Sequence, residues 1–482
     1  MPRLKEKRSV YHCYITRHLR NKRPAVFCEG RSYSYSDLHR LTSKFVSFLQ
    51  EKGIKAGDVV LWSAFDSIET IVAVLSSIRL GVVIGLVDVE SSEAEWKEII
   101  ADCDPVRILA TAGICERLND SRVLRVTDDD SSEYFFSAIE KLEESNTVRE
   151  VREDDPAFIL FTSGTTGRPK GVVHSYRTLG VDGFCKTILK VREKDLILSC
   201  PRIHTSFGFQ NTVLYVFQSG AGAVITRHIP DPFSLQNVLQ LRPTLFFAVP
   251  SVYELLLEYV RSLREPFRSV RLLVSAGDTL YDDIVRRWRV TYKRPLLDSF
   301  GTTEACQTFI SNIPGRERPG SVGKAVKGFA VRFDKRGLMC YKGPSLFLRY
   351  AARKHRQKRR LVKGWLQTED FGYKDRQGYI FIKGRRSSIF KVNAKWVSAP
   401  DVEGRLRRCS LVRQAAVVKG RGGLSYLVSL NSGIDAESAQ KRIRRYCSEH
   451  LRLHELPKQI TIVERIPTTR GGKVNRRALE EL

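Results

Sequence analysis

Apolar positions follow two rhythms along this chain, and the change of rhythm divides it. From residue 58 to residue 301, short apolar runs recur: DVVLW (58–62), VVIGLVD (82–88), RILA (107–110), AFILF (157–161), AVIT (223–226), TLFFAVP (244–250), RLLVSAG (271–277) and PLLDSFG (295–301). Such runs read as strands covered on both faces. Helical stretches alternate with them, as at 91–102 and 134–148, and 30–53 reads as a short strand and turn followed by an amphipathic helix ending at Gly53. Alternating strands and helices predict an α/β fold of layered subdomains with largely parallel sheets. The longest apolar stretch, IETIVAVLSSIRLGVVIGLV (68–87), carries Glu69 and Arg79 and is divided by Gly81 and Gly85. It is expected to be a buried helix–strand unit and not a membrane span.

After about residue 320 the segments shorten and turn residues multiply, as in AVRFDKRG, LMCYKGP and GYIFIKGR, which predicts a β-rich subdomain. Further on, 415–430 reads as a hairpin and 436–451 as a helix. These assign a large N-terminal domain to residues 1–383 and a small α+β C-terminal domain to 384–482.

Composition narrows the class. With 42% hydrophobic and 28% charged residues over 482 positions, the chain is globular and long enough for several domains. Its formal net charge of +28 favours anionic partners without choosing among them. Ten cysteines stand singly with no C-x-x-C pair, against a zinc knuckle or a disulfide scaffold. The basic amino terminus has no apolar segment among its charges, so the chain is expected to be cytoplasmic and reduced. Residues 342–363 hold nine Lys/Arg and no acid; a solvated surface is the default reading, and no aromatic–basic module beside it argues for nucleic acid.

The strongest local signal is FTSGTTGRPKGVVHS (161–175), which follows an apolar strand. Glycines let backbone N–H groups approach an anion, hydroxyls donate further bonds, and Lys170 adds a charge. The string lacks the G-x-x-x-x-G-K-[ST] spacing of a Walker loop, yet it suits a triphosphate.

This string resembles the phosphate loop of the acyl-adenylate-forming superfamily, which includes acyl- and aryl-CoA ligases, nonribosomal adenylation domains and luciferases. Five further segments match family motifs in order: PRIH (201–204), SFGTTEA (299–305), WLQTEDFGYKD (365–375), GRRSSIFKVNAKWVSAPDVE (384–403) and PTTRGGKVNRRAL (467–479). The resemblance implies ATP and Mg²⁺ as cofactors and assigns roles residue by residue. Thr162, Ser163, Gly164, Thr165, Thr166, Gly167 and Lys170 would form the phosphate loop. Ala276, Gly277 and Asp278 would line the adenine, with Phe300 stacking on it and Gly301 and Thr302 beside it. Thr303 would bond the α-phosphate, Glu304 hold Mg²⁺, and Asp370 and Arg385 hold the ribose. Lys473 would bridge carboxylate and phosphate, and Lys391 matches a loop lysine. The family's C-terminal domain is mobile and swings about a hinge after Gly384-Arg385 for a second, thiol-transfer step.

Within the superfamily the middle of the chain most resembles benzoate-type aryl-CoA ligases, so an aromatic carboxylic acid is the expected substrate and coenzyme A the expected acceptor. His204, Phe207, Gly208, Phe247, Ser275, Phe300 and Gln307 would line the acyl pocket. Gln307 stands where that subgroup tends to have His, and Phe207 where it tends to have Tyr; a hydroxy-, amino- or cinnamate-like acid fits as well as benzoate. Three departures touch the second step. Ser387-Ser388 replaces an Asp-Asp pair, Ala394 replaces a loop glycine, and Pro400-Asp401 displaces a Pro-x-Glu. They keep open an acceptor other than CoA, such as an acidic acyl-carrier protein or an amine. A catalytically silent scaffold is disfavoured by the presence of Lys170, Glu304, Asp370, Arg385 and Lys473 together.

Overall fold

The computed structural model describes residues 9–163, 168–227, 232–259, 266–352, 361–420, 422–469 and 474–480. Two large sheets build the N-terminal domain. In the first, the strands Leu296–Thr302, Leu272–Ser275, Leu245–Ala248, Leu196–Ser199, Gly222–Ile225 and Pro24–Cys28 lie side by side in parallel. Antiparallel edge strands flank them, completing nine. In the second, Pro156–Ser163, Val83–Leu86, Val59–Ser63, Arg107–Thr111 and Val123–Thr127 run parallel, with Pro169–Ser175 antiparallel to the first of these.

The helix Ile68–Leu80 shows why the apolar stretch is no membrane span. All thirteen residues are buried, and the surrounding core draws on both large sheets. Gly81 ends it with φ +81, a left-handed cap that a glycine adopts without strain, and the chain turns directly into the strand Val83–Leu86. Its two charges are paired: Glu69 accepts from Arg227 at 3.0 Å, and Arg79 donates to Ser43 Oγ at 2.6 Å and the Thr147 carbonyl at 2.8 Å. No helix among the described residues is long and apolar enough to cross a membrane.

One expected helix is shorter than its periodicity suggests. The 134–148 stretch is helical only over Glu133–Glu140. Beyond it Arg79 captures the Ser145 and Thr147 carbonyls, and the Ser145 N–H donates to the Ser43 carbonyl at 3.2 Å. These bonds across the domain outweigh the weak helix preference of Ser-Asn-Thr.

A third, five-stranded sheet includes Leu338–Lys342, Trp365–Lys374 and Ile380–Arg385, in antiparallel order. The C-terminal domain has its own core, with Val402, Val417, Tyr426 and Ile443 at its centre. Its expected hairpin is Val412–Gly420 with Gly423–Leu430, its expected helix Ala436–His450. All ten cysteines are free.

Candidate active site

The functional strings converge because they sit where strands end. A cleft of about 1500 Å³ opens at the carboxyl ends of strands from both large sheets, and the third sheet and the C-terminal residues Thr469, Val474 and Arg476 also line it. Carboxyl ends of parallel strands are the common place for ligands in open α/β sheets, because loops diverge there and leave a crevice.

Of the residues matched from the sequence, Thr162, Lys170, Ala276, Gly277, Asp278, Phe300, Gly301, Thr302, Thr303, Glu304, Asp370 and Arg385 line this cleft, as do His204, Phe207 and Gln307. The phosphate-loop string is a hairpin: Thr162 pairs with Lys170 and Ser163 with Pro169 across antiparallel strands. Gly164, Thr165, Thr166 and Gly167 lie outside the described residues, as does Lys473.

Thr302–Glu304 leave the end of the strand Leu296–Thr302 held from three sides. Thr302 shares a 2.7 Å hydrogen bond with the Tyr341 hydroxyl. The Thr303 carbonyl accepts from His174 Nε2 at 2.8 Å, and its hydroxyl lies 3.4 Å from Ser206 Oγ. Glu304 Oε1 accepts from the Tyr350 hydroxyl at 2.9 Å, and its carbonyl accepts from the Phe347 N–H at 2.9 Å. Gly301 is required on steric grounds, since a Cβ there would stand 2.7 Å from the Gln307 carbonyl oxygen.

His174 was not singled out in the sequence. It is fully buried and stacked on Phe158 at 4.9 Å, and burial lowers its pKa to about 4, so the neutral imidazole donates from Nε2. Its only sequence signal is its place on the same strand as Lys170.

Asp370 and Arg385 are neighbours because they face each other in the register of their paired strands. Asp370 is buried and accepts from Arg385 Nε at 3.2 Å, while the Arg385 side chain stays 61% exposed to the cleft. Asp278 accepts from the N–H of Val474 at 3.3 Å, so the residue following Lys473 is bonded to the cleft wall.

The acyl side is built less directly than the matched list suggests. Phe207 faces the cleft, but Phe247 is fully buried behind it, edge-on at 6.1 Å. Ser275 is also fully buried, and Gly208 serves packing, since a Cβ there would overlap the Arg202 carbonyl oxygen at 1.9 Å. None of these three lines the cleft. Gln307 reaches it with its amide engaged: Nε2 donates to the Val181 carbonyl at 3.1 Å and Oε1 accepts from the Tyr215 hydroxyl at 3.3 Å. Lys391 stands exposed on the hairpin Ile389–Val392/Lys395–Ser398, away from the cleft lining. The turn of that hairpin has Asn393 at φ +47 and Ala394 at φ +62, the left-handed region, where an alanine costs about 1 kcal/mol relative to glycine.

Two acids of the cleft carried no sequence signal. Burial pushes the Asp298 carboxyl well above the usual carboxylate range. Asp66 accepts from the Ile203 N–H with both oxygens, at 3.1 and 3.0 Å, which props the segment carrying His204 and Phe207. Burial raises its pKa to about 7. The folded chain therefore holds this proton more tightly than the unfolded chain, and Asp66 makes stability fall as pH rises from about 4 to about 7. Asp66→Asn keeps an acceptor for Ile203 and removes the titration. Its stability relative to the parent is expected to rise between pH 4 and pH 7, by up to about 1.4 kcal/mol for each pH unit in that window, and to level off above it, as read by thermal melts at each pH. A constant difference between the two proteins would refute the assignment.

Comparison with known proteins accords with this geometry. The AMP-binding enzyme profile matches residues 16–351, and the AMP-binding enzyme C-terminal domain profile matches residues 401–473. The 3-hydroxybenzoate–CoA ligase of Aromatoleum sp. (strain CIB) is 27% identical over 487 residues, 95% of this chain and 93% of its own length. The anthranilate–CoA ligase of Pseudomonas aeruginosa is 29% identical over 462 residues, 89% of this chain and 88% of its own. In fold, the chain matches the crystal structure of a benzoate CoA ligase from Burkholderia xenovorans at a TM-score of 0.88 and 23% identity, over 98% of this chain and 100% of that one. Since the first profile spans well over half of the sequence and the second falls on the small domain, the chain belongs to the AMP-binding enzyme family.

Proposed function

We propose that this protein is an ATP-dependent aryl-acid ligase, joining an aromatic carboxylate to AMP and then passing the acyl group to the thiol of CoA. The observation that carries the reading is a single cleft lined by Lys170, Thr303, Glu304 and the Asp370–Arg385 pair together with the aromatic rings of Phe207 and Phe300. Relatives named for hydroxybenzoate and anthranilate support the aromatic class.

In the first step a carboxylate oxygen attacks the α-phosphorus of ATP; an O–P bond forms and the bond to pyrophosphate breaks. The acid is ionised at neutral pH, with a pKa near 4, so no general base is needed. Rate comes from alignment and from cancelling charge on phosphorus and pyrophosphate. Thr162, Ser163, Gly164, Thr165, Thr166 and Gly167 hold the outer phosphates with Lys170, Thr303 bonds the α-phosphate, and Lys473 bridges the two reactants. Ala276, Gly277, Asp278, Phe300, Gly301 and Thr302 seat the adenine, while Asp370 accepts from both ribose hydroxyls.

No group of three or more potential metal ligands occurs among the described residues. Magnesium nevertheless fits, because it commonly takes one or two protein carboxylates together with substrate phosphates, and Glu304 supplies a carboxylate at the cleft. When bound, the ion neutralises phosphate charge.

In the second step the CoA sulfur attacks the acyl carbon and AMP departs. We place the hinge for it at Gly384-Arg385, dividing domains 1–383 and 384–482. Gly384 has φ +132, and Ser388 Oγ, which accepts from the Arg385 N–H at 3.0 Å, leaves no room for a Cβ. Transfer to a carrier protein, an amine or another nucleophile is the second reading, favoured by Ala394 in the turn of the hairpin bearing Lys391. A cytoplasmic location is part of the same proposal.

The test is a panel of benzoates, hydroxybenzoates, aminobenzoates, cinnamates and alkanoates, read by pyrophosphate release with and without CoA. Release with an aromatic acid and thiol consumption on adding CoA are expected. Accumulating acyl-AMP with unchanged thiol would select the second reading, and no release with any acid would overturn both.

A further inference from the structure

The two domains meet through a buried ionic socket that none of the matched motifs predicts. Arg407 caps the end of the helix Ala399–Leu406 in the C-terminal domain and inserts its side chain into the N-terminal domain, where it is only 3% exposed. Nε and Nη2 donate to the two oxygens of Asp283, each at 3.0 Å, and Nη2 also pairs with Glu254. The guanidinium lies 4.8 Å over the Tyr281 ring. The second Glu254 oxygen accepts from Gln414 Nε2 at 2.9 Å, another contact across the domains.

This socket continues toward the cleft. The Tyr281 hydroxyl donates to Glu403 Oε2 at 2.7 Å, and the same carboxylate pairs with Arg476 at 3.0 Å and accepts from the Val417 N–H at 2.8 Å. Two residues before Arg476, Val474 is bonded to Asp278 on the cleft wall. The N-terminal domain thus supplies two carboxylates and the C-terminal domain one guanidinium, and the bonds between them form only while the domains are docked. A buried charge that loses its partner is costly, so a small displacement of the domains is penalised while full separation lets water take over.

We propose that Arg407 is a positioning residue for acyl-adenylate formation. By docking in the Glu254/Asp283 socket it holds the C-terminal domain where the Val474 N–H meets Asp278 on the cleft wall. It touches neither substrate nor reacting atoms. This inference rests on the proposed ligase reading for its chemistry but not for its geometry.

Three measurements on the full chain test it: acid-dependent exchange of labelled pyrophosphate into ATP, conversion of supplied synthetic aryl-AMP to thioester by CoA, and small-angle X-ray scattering. For Arg407→Ala, exchange is expected to fall at least tenfold, thioester formation from supplied aryl-AMP to change less than threefold, and the maximum dimension in solution to increase. Arg407→Lys should recover part of the exchange, since it keeps the charge but loses the two-pronged contact with Asp283. Asp283→Asn, on the opposite domain and milder for folding, should show the same split. Equal losses in both half-reactions, or unchanged exchange and dimensions, would overturn the inference. If the parent exchanges pyrophosphate with no acid, the ligase reading fails instead, and the scattering comparison alone decides whether the socket holds the domains.

Discussion

Glu304→Gln is expected to reduce acid-dependent pyrophosphate exchange by about 10²–10³-fold at saturating ATP and to raise the magnesium concentration needed for half-maximal rate. The substitution is nearly isosteric. An amide oxygen still accepts from the Tyr350 hydroxyl, and the backbone bond from Phe347 to the Glu304 carbonyl is untouched. What disappears is one negative charge at the place where triphosphate and cation would meet. Because the local structure is kept, a loss of rate with unchanged melting temperature assigns the effect to charge. Exchange at the parental rate with the parental magnesium dependence would remove Glu304 from the metal role.

Asp370→Ala is expected to lower kcat/KM for ATP by about 10²–10³-fold, mostly through KM. A carboxylate accepting both ribose hydroxyls makes two charge-assisted hydrogen bonds of about 1.5–3 kcal/mol each, part of which is recovered by water in the variant. The substitution also frees Arg385 from its 3.2 Å contact. Since that side chain is 61% exposed, water can solvate it, and folding stability should change little. The nucleotide preference sharpens the test: the parent should favour ATP over 2′-deoxy-ATP by more than tenfold, and the variant should lose most of that preference. A variant that discriminates as the parent does would place the ribose elsewhere.

Both residues were found through motif matches, and they differ in what carries them to the cleft. Glu304, in the SFGTTEA match, stands just past the end of the strand Leu296–Thr302. Asp370 was legible only as part of a motif; its partnership with Arg385 follows from antiparallel register between Trp365–Lys374 and Ile380–Arg385. Phe247 and Ser275 show the opposite case. Their strings point to the pocket, yet they lie buried behind it, because successive side chains on a strand take opposite faces and only packing decides which face meets the cleft.

What the sequence determined alone is whatever local patterning encodes: the buried parallel strands, the helix–strand unit at 68–87 divided at its glycines, the hairpin of the C-terminal domain, and the order of the chemical strings. Tertiary structure alone decided the contacts between groups remote along the chain. His174 beneath Thr303, Asp66 beneath Ile203, and Arg407 between Glu254 and Asp283 join residues 129, 137, 153 and 124 positions apart. Each is an ordinary polar residue within its own segment. Only burial in the assembled fold, where an unpaired polar group is costly, turns it into a fixed part of the site.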